Sequence, residues 1–210
     1  SIDEAFVDVT GARTLFGDGQ SIAVKMRAAI RSEVGLAASI GVAANMFLAK
    51  LASEKAKPDG LFVVPEGREA IVRFLGAQKI GALWGVGKVT GEALGRAGFK
   101  TVADIQSADF AYLCRTVGES LAAHLRALAF GEDSREVETE FEEKSLSREY
   151  TFLEDCRDRE TVRETLKTLA DEVGERVRAH GRYAAVGRIK LRWADFKTIT
   201  RQAPFEVAVC

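Results

Sequence analysis

The 210 residues are 47% hydrophobic and 29% charged, with a formal net charge of −1. That balance is the composition of a globular protein with apolar surface enough for a core, and it excludes a disordered or collagen-like chain. No apolar run approaches the roughly 20 residues of a membrane-spanning helix, so no membrane partner is expected, and the start carries neither a signal nor a transit pattern.

The length leaves room for one large domain or two to three small ones. The chain opens Ser1-Ile2-Asp3-Glu4-Ala5-Phe6-Val7-Asp8-Val9-Thr10, in which Ala5, Val7 and Val9 alternate with Phe6 and Asp8, the pattern of a short strand. Carboxylates at the edge of a sheet suit Mg²⁺, a hard cation that takes oxygen ligands. Adjacent acids are also common in any charged chain, so the pair alone names no site.

Gly11 and Phe16-Gly17-Asp18-Gly19 read as loop. Ile22, Met26, Ile30 and Val34 then recur every four residues, predicting an amphipathic helix with Gly35 as its C-cap. Residues 38–42 read as a short strand. A second helix follows, capped by Asn45, with Phe47, Leu48, Leu51 and Ala52 inward and Lys50, Glu54 and Lys55 outward. It ends at the tight turn Lys57-Pro58-Asp59-Gly60, and residues 61–64 form the next strand. Alternating strands and helices make this an α/β or α+β unit.

From Glu66 onward only helical patterns follow, as far as Gly131. Within them Ile80-Gly81-Ala82-Leu83-Trp84-Gly85-Val86-Gly87-Lys88-Val89-Thr90 has the form of a helix-hairpin-helix turn. Its glycines admit close backbone approach, the N–H groups opening the next helix suit a phosphate oxygen, and Lys88 and Thr90 add a charge and a hydroxyl. The plain counterpart is a helical turn whose glycines only allow packing. A weaker hairpin lies at Thr116-Val117-Gly118-Glu119.

The near-neutral total hides a segregation of charge. Residues 132–143 carry Glu132, Asp133, Glu136, Glu138, Glu140, Glu142 and Glu143 against Arg135, and read as a solvated linker. Lys144 to Phe152 alternates as a strand, with Leu146, Tyr150 and Phe152 on one face. A helix follows through Val162, Leu166, Leu169, Val173 and Val177, stopped by Gly181. Residues 185–193 then form a strand with Arg188, Lys190 and Arg192 on one face, and residues 197–206 its hairpin partner. Such a cationic face suits a phosphate backbone, or is simply wet. Cys114, Cys156 and Cys210 form no CxxC pair, and His124 and His180 are isolated, which leaves no zinc spacing and points to a reducing compartment.

Taken in order, these parts resemble the Y-family DNA polymerases of the bacterial DNA polymerase IV type. Ser1 to Phe6 resembles the family's acidic palm motif. Ile40 to Ala43, Asn45, Leu48 to Ser53 and Ala56 to Gly60 resemble its second palm signature. The stretch 83–98 resembles its thumb, and Lys144 to Phe152 with Lys190-Leu191-Arg192 and Asp195-Phe196 resembles its little finger.

The resemblance implies an α+β multidomain fold: a partial palm at 1–65, an all-α thumb with a helix-hairpin-helix at 66–131, an acidic linker at 132–143, and a partial little finger at 144–210. It assigns Asp3 and Glu4 to two Mg²⁺ ions and catalysis, and Lys57 to the triphosphate of an incoming deoxynucleotide. It assigns Gly85, Gly87, Lys88, Thr90, Ser145, Ser147, Arg148, Lys190 and Arg192 to the phosphates of primer–template DNA. Translesion synthesis in the bacterial cytoplasm, at the nucleoid, follows from it, with a sliding clamp as a partner of the intact protein. Three departures stand out. The family's other metal-binding aspartate and its fingers domain are not in this sequence, Met46 replaces a usual lysine, and the little finger stops short. The expectation is therefore a fragment that does not polymerise DNA by itself. A non-catalytic helix-hairpin-helix DNA-binding module or repair scaffold is the alternative.

Overall fold

The computed structural model describes residues 3–139 and 143–209. Ser1 and Ile2 of the opening motif, Glu140, Phe141 and Glu142 of the acidic stretch, and Cys210 lie outside the described residues. The chain divides into two units, Ser1–Thr139 and Glu140–Cys210.

The first unit begins with a 3₁₀ turn at Thr10–Ala12 and a one-turn helix α1 (Arg13–Phe16), where a loop was expected. Gly17, at φ +96°, ends α1, and the Asp18 carboxylate accepts the Ser21 N–H at 2.8 Å to start α2 (Gly19–Val34). Gly35 closes α2 in the left-handed conformation at φ +70°, as the sequence anticipates.

β1 (Ile40–Val42) and β2 (Leu61–Val63) pair in parallel, with Ile40 opposite Leu61. Parallel neighbours need a crossover between them, and α3 (Met46–Ala56) supplies it, capped by Asn45, whose side chain accepts the Leu48 N–H at 3.0 Å. Phe47, Leu48, Leu51, Ala52 and Ala56 are the buried face of α3, the stripe its spacing predicts plus Ala56. Gly41 lets helix and strand touch: a Cβ there would lie 2.1 Å from the Ala49 carbonyl oxygen.

Five helices complete this unit: α4 (Arg68–Gly76), α5 (Lys88–Arg96), α6 (Val102–Ser107), α7 (Phe110–Val117) and α8 (Glu119–Ala129). Leu75, Leu83, Leu94, Ile105, Leu113, Leu125 and Leu128 form their core, and this cluster is continuous with Phe47, Leu48 and Leu51 of α3. The α/β part and the helical part therefore share one apolar interior. Gln106, reaching the carbonyls of Val72 at 2.9 Å and Ala129 at 2.8 Å, ties α4, α6 and the end of α8 together.

In the second unit, Asp158 caps the long helix α9 (Arg159–Ala179) by accepting the Thr161 N–H at 3.0 Å. An antiparallel hairpin follows, β3 (Ala184–Arg192) with β4 (Thr198–Val209). Among the described residues no helix is long and apolar enough to cross a membrane.

Three expectations need correction. Ala5 to Val9 is not a strand, and neither is Lys144 to Phe152. Both runs alternate, but a strand exists only where a neighbour answers its N–H and C=O groups, and no strand among the described residues runs beside either. The acidic stretch does not begin as a solvated tether: Asp133 has only 4% of its side chain exposed and is bonded to α3.

Asp104 illustrates how carboxylates fasten this fold. It accepts the N–H groups of Thr101 and Lys100, each at 2.7 Å, and these bonds hold its pKa below the ordinary 3.8. Its contribution is thus present above that value and lost as pH falls through the depressed one. Asp104→Ala should cost about 1 kcal/mol at pH 7, the usual worth of a helix-start bond. The difference from wild type should shrink toward zero in acid, checked by urea unfolding at both pH values. Because the core is shared, Leu48→Ala and Leu125→Ala should each cost about 2–5 kcal/mol and lower the same unfolding transition.

Candidate functional site

Asp3 stands in a turn and Glu4 follows it on an extended segment, so neither obeys the strict alternation of a strand that would send adjacent side chains to opposite faces. Lys50, from α3, donates to both Glu4 oxygens at 2.7 and 2.8 Å. That bond, followed by the charge of Lys50, holds the Glu4 carboxyl below its ordinary 4.5.

Lys57 ends the same helix. It pairs with Glu54 at 2.5 Å, which raises its pKa, and Glu4 and Asp3 are close enough to raise it further. The turn that presents it is held from α2. Arg27 donates to the Asp59 carbonyl at 2.6 Å, to its carboxylate at 3.0 Å and to the Ala38 carbonyl at 3.0 Å, and Arg31 pairs with the other Asp59 oxygen. Asp59 takes a left-handed φ of +45° beside the cis Lys57–Pro58 peptide, and Gly60 lies where a Cβ would meet the Ala56 carbonyl oxygen at 2.1 Å. Asp3, Glu4, Lys50 and Lys57 thus converge.

The floor of this cluster is Trp84. Its ring stacks on Phe6 with centroids 6.0 Å apart, Lys50 lies 5.8 Å above it, and the Arg135 guanidinium 4.0 Å above it. Sequence reasoning named Asp3, Glu4 and Lys57 as candidates, placed Lys50 only on an outer helix face and gave no role to Trp84, Asp133 or Arg135. The signal for Lys50 was its position two turns before Lys57 on one helix. The other three carry no local signal, because their partners are distant in sequence.

Trp84 leads directly into the glycine turn. Gly85 takes φ +97°, a conformation that favours glycine, and Gly87 precedes α5 with open space where a Cβ would stand. The first intrahelical bond of α5 runs from Gly91 N–H to Gly87 at 2.8 Å, leaving the amides of Lys88, Val89 and Thr90 without a helical partner. Lys88 is exposed and Thr90 half-buried. The Trp84 carbonyl lies 3.2 Å from His124 Nε2, which ties this turn to α8.

In the second unit, Arg188, Lys190 and Arg192 face the same side of β3, opposite Gln202, Thr200 and Thr198 of β4. No acid lies in those cross-strand positions. Arg188 donates to Gln202 at 2.8 Å, and Lys190 makes no ion pair among the described residues. Ser145 and Ser147 are exposed on the extended segment, and Arg148 is paired with Glu172 at 2.6 Å, which leaves it less available than its sequence position suggests.

The cluster carries oxygen donors suited to a hard divalent cation at Asp3 and Glu4. Among the described residues no group of three or more His, Cys, Asp and Glu side chains gathers as a metal cage. Mg²⁺ is commonly bound through one or two carboxylates with waters and substrate phosphates completing its shell, so the acidic pair fits as a partial ligand set.

The impB/mucB/samB family matches residues 1–54, and its C-terminal domain matches residues 143–210. The chain is 39% identical over 201 residues to DNA polymerase IV of Dehalococcoides mccartyi, covering 96% of this chain and 51% of that protein. It is 41% identical over 202 residues to DNA polymerase IV of Halorhodospira halophila, covering 96% and 56%. The chain thus spans about half the length of the curated relatives it matches. A solved Y-family DNA polymerase chimera of Dbh and Dpo4 superposes with a TM-score of 0.83 at 27% identity, over 100% of this chain and 60% of that one. The chain belongs to the impB/mucB/samB family, the Y family of DNA polymerases, alongside the proteins named DNA polymerase IV.

Proposed function

We propose that this chain supplies half of the active site and much of the DNA grip of a translesion DNA polymerase. The observation that carries this reading is the convergence of Asp3, Glu4, Lys50 and Lys57, two acids and two lysines gathered by one helix and one turn. A non-catalytic helix-hairpin-helix module would have no use for such a cluster. In this reading residues 1–65 act as palm, 66–131 as thumb and the second unit as little finger, with primer–template DNA and a deoxynucleoside triphosphate as substrates.

Each residue then has a task set by its chemistry. Lys50 holds Glu4 in place by bonding both of its oxygens. Asp3 and Glu4 would hold Mg²⁺, which when bound supplies charge neutralisation for attack of a primer 3′-oxygen on the α-phosphate and departure of pyrophosphate. Lys57, a point charge on a turn braced by Arg27 and Arg31, faces the triphosphate. The free amides of the first turn of α5, with Lys88 beside them, take a DNA phosphate. Ser145, Ser147, Arg148, Lys190 and Arg192 track the backbone from the second unit. None of these contacts reads a base edge, which suits an enzyme that must act on any sequence. Met46 stands at the start of α3 and carries no charge to this surface.

Two experiments test the reading. DNA affinity of this chain should fall with salt, and Lys190→Ala with Arg192→Ala should flatten the log–log slope by roughly 0.9 per lost phosphate contact on duplex DNA. A loss confined to particular sequences would contradict backbone contact. In a chain carrying the further segments its relatives have, Asp3→Ala should lower nucleotide incorporation by more than about 100-fold, beyond what loss of an outer-shell group costs. DNA affinity should stay unchanged. Lys57→Ala should act mainly on KM for the nucleotide. Undiminished incorporation by Asp3→Ala removes the acid pair from the mechanism.

A further inference from the structure

Among the described residues the segment that carries Asp3 and Glu4 has no ladder bonds to a neighbouring strand, so its side chains do the holding. Two do so visibly, Glu4 on Lys50 and Phe6 on Trp84. Trp84 is itself fastened from a third direction in sequence. After α8, the Gly131 carbonyl accepts from Asn45 Nδ2 at 2.8 Å, and Asp133 accepts the Phe47 N–H at 3.0 Å. The Phe47 amide is one of the unpaired donors of the first turn of α3, so Asp133 docks where a helix start favours an anion. Arg135 grips Asp133 as a fork, Nε to one oxygen at 2.7 Å and Nη2 to the other at 2.9 Å. That fork fixes the plane of the guanidinium, which lies 4.0 Å from the Trp84 ring centroid.

We propose that Arg135, oriented by Asp133, is a positioning residue for the acidic pair: it holds Trp84 in the place where Trp84 supports Phe6 and Lys50, and through them Glu4. The root of the acidic stretch is then part of the site rather than a tether leaving it. This gives the two charges of opposite sign at 133 and 135 a shared purpose, since Asp133 sets the geometry of Arg135 and Arg135 meets the ring. The inference rests on Asp3 and Glu4 being the acids of the site. Its test reads the ring of Phe6 and the amine of Lys50, not nucleotide transfer, and so succeeds or fails independently of whether the pair catalyses anything.

The test is nuclear magnetic resonance on the whole chain, with Trp193→Phe leaving Trp84 as the only indole. In wild type the Phe6 ring protons should show an indole ring-current shift and cross-relaxation to Trp84. Arg135→Ala should lower the equilibrium constant for that contact by about two- to fivefold, the factor of a partly exposed cation–π interaction. It should move the Lys50 side-chain signals at the same time, with the Leu113 and Leu125 methyl signals in place to show an intact core. Arg135→Lys keeps the charge but loses the planar fork, and should resemble Arg135→Ala. Asp133→Asn should shift the same signals by a smaller amount. If Arg135→Ala does not fold, Arg135→Lys decides on the same signals. Unchanged Phe6 and Lys50 signals, with only the Trp84 indole displaced, would show that Arg135 merely packs and would overturn the proposal.

Discussion

The organising constraint is that the segment carrying Asp3 and Glu4 belongs to no helix or strand among the described residues. Asp3 stands in a turn and residues 4–8 follow it without a ladder partner among the described residues, so their position depends on what their side chains reach. Glu4 reaches Lys50 and Phe6 reaches Trp84. Both anchors belong to elements locked into the buried cluster that α3 shares with the helices after it. A loose segment is thereby given a defined place by a rigid surface beneath it, which is what a site needs when its ligands must converge within ångströms.

The same economy governs the turn after α3. A left-handed Asp59 followed by a glycine pressed against Ala56 is a tight piece of backbone after the helix. Arg27 and Arg31 of α2 clamp Asp59 and so stabilise it. The result is that Lys57 leaves the helix aimed toward the acids, and its charge is felt by Glu4. One helix thus delivers both lysines of the cluster, Lys50 from its interior and Lys57 from its end.

Much of this was legible in the chain. The caps Asp18 and Asn45 were of two kinds: Asn45 and the stop at Gly35 were foreseen, as was the inward stripe of α3, because each rests on near neighbours. The glycine turn and the β3–β4 hairpin were foreseen for the same reason, and the alternation of β3 places Arg188, Lys190 and Arg192 where the register puts them. What the chain did not show was long-range: whether an alternating run would find a partner strand, and what a charged side chain would reach. Ala5 to Val9 and Lys144 to Phe152 alternate well, yet alternation describes faces and not neighbours. Asp133 looked like one acid in a solvated run, yet it meets an amide donor that lies 86 positions earlier. Trp84 passed as a hydrophobic residue of a turn for the same reason.

The central claim is that Asp3 and Glu4 form a partial site for a divalent cation, presented by Lys50, Lys57 and Trp84. Paramagnetic Mn²⁺, added in place of Mg²⁺ to the isotope-labelled chain, tests it directly. The account predicts line broadening centred on Asp3 and Glu4 and extending to the side chains of Lys50 and Lys57, relieved by excess Mg²⁺ and abolished by Asp3→Ala with Glu4→Gln. Broadening confined to the acidic residues after Gly131, or equal broadening in the double variant, would contradict it.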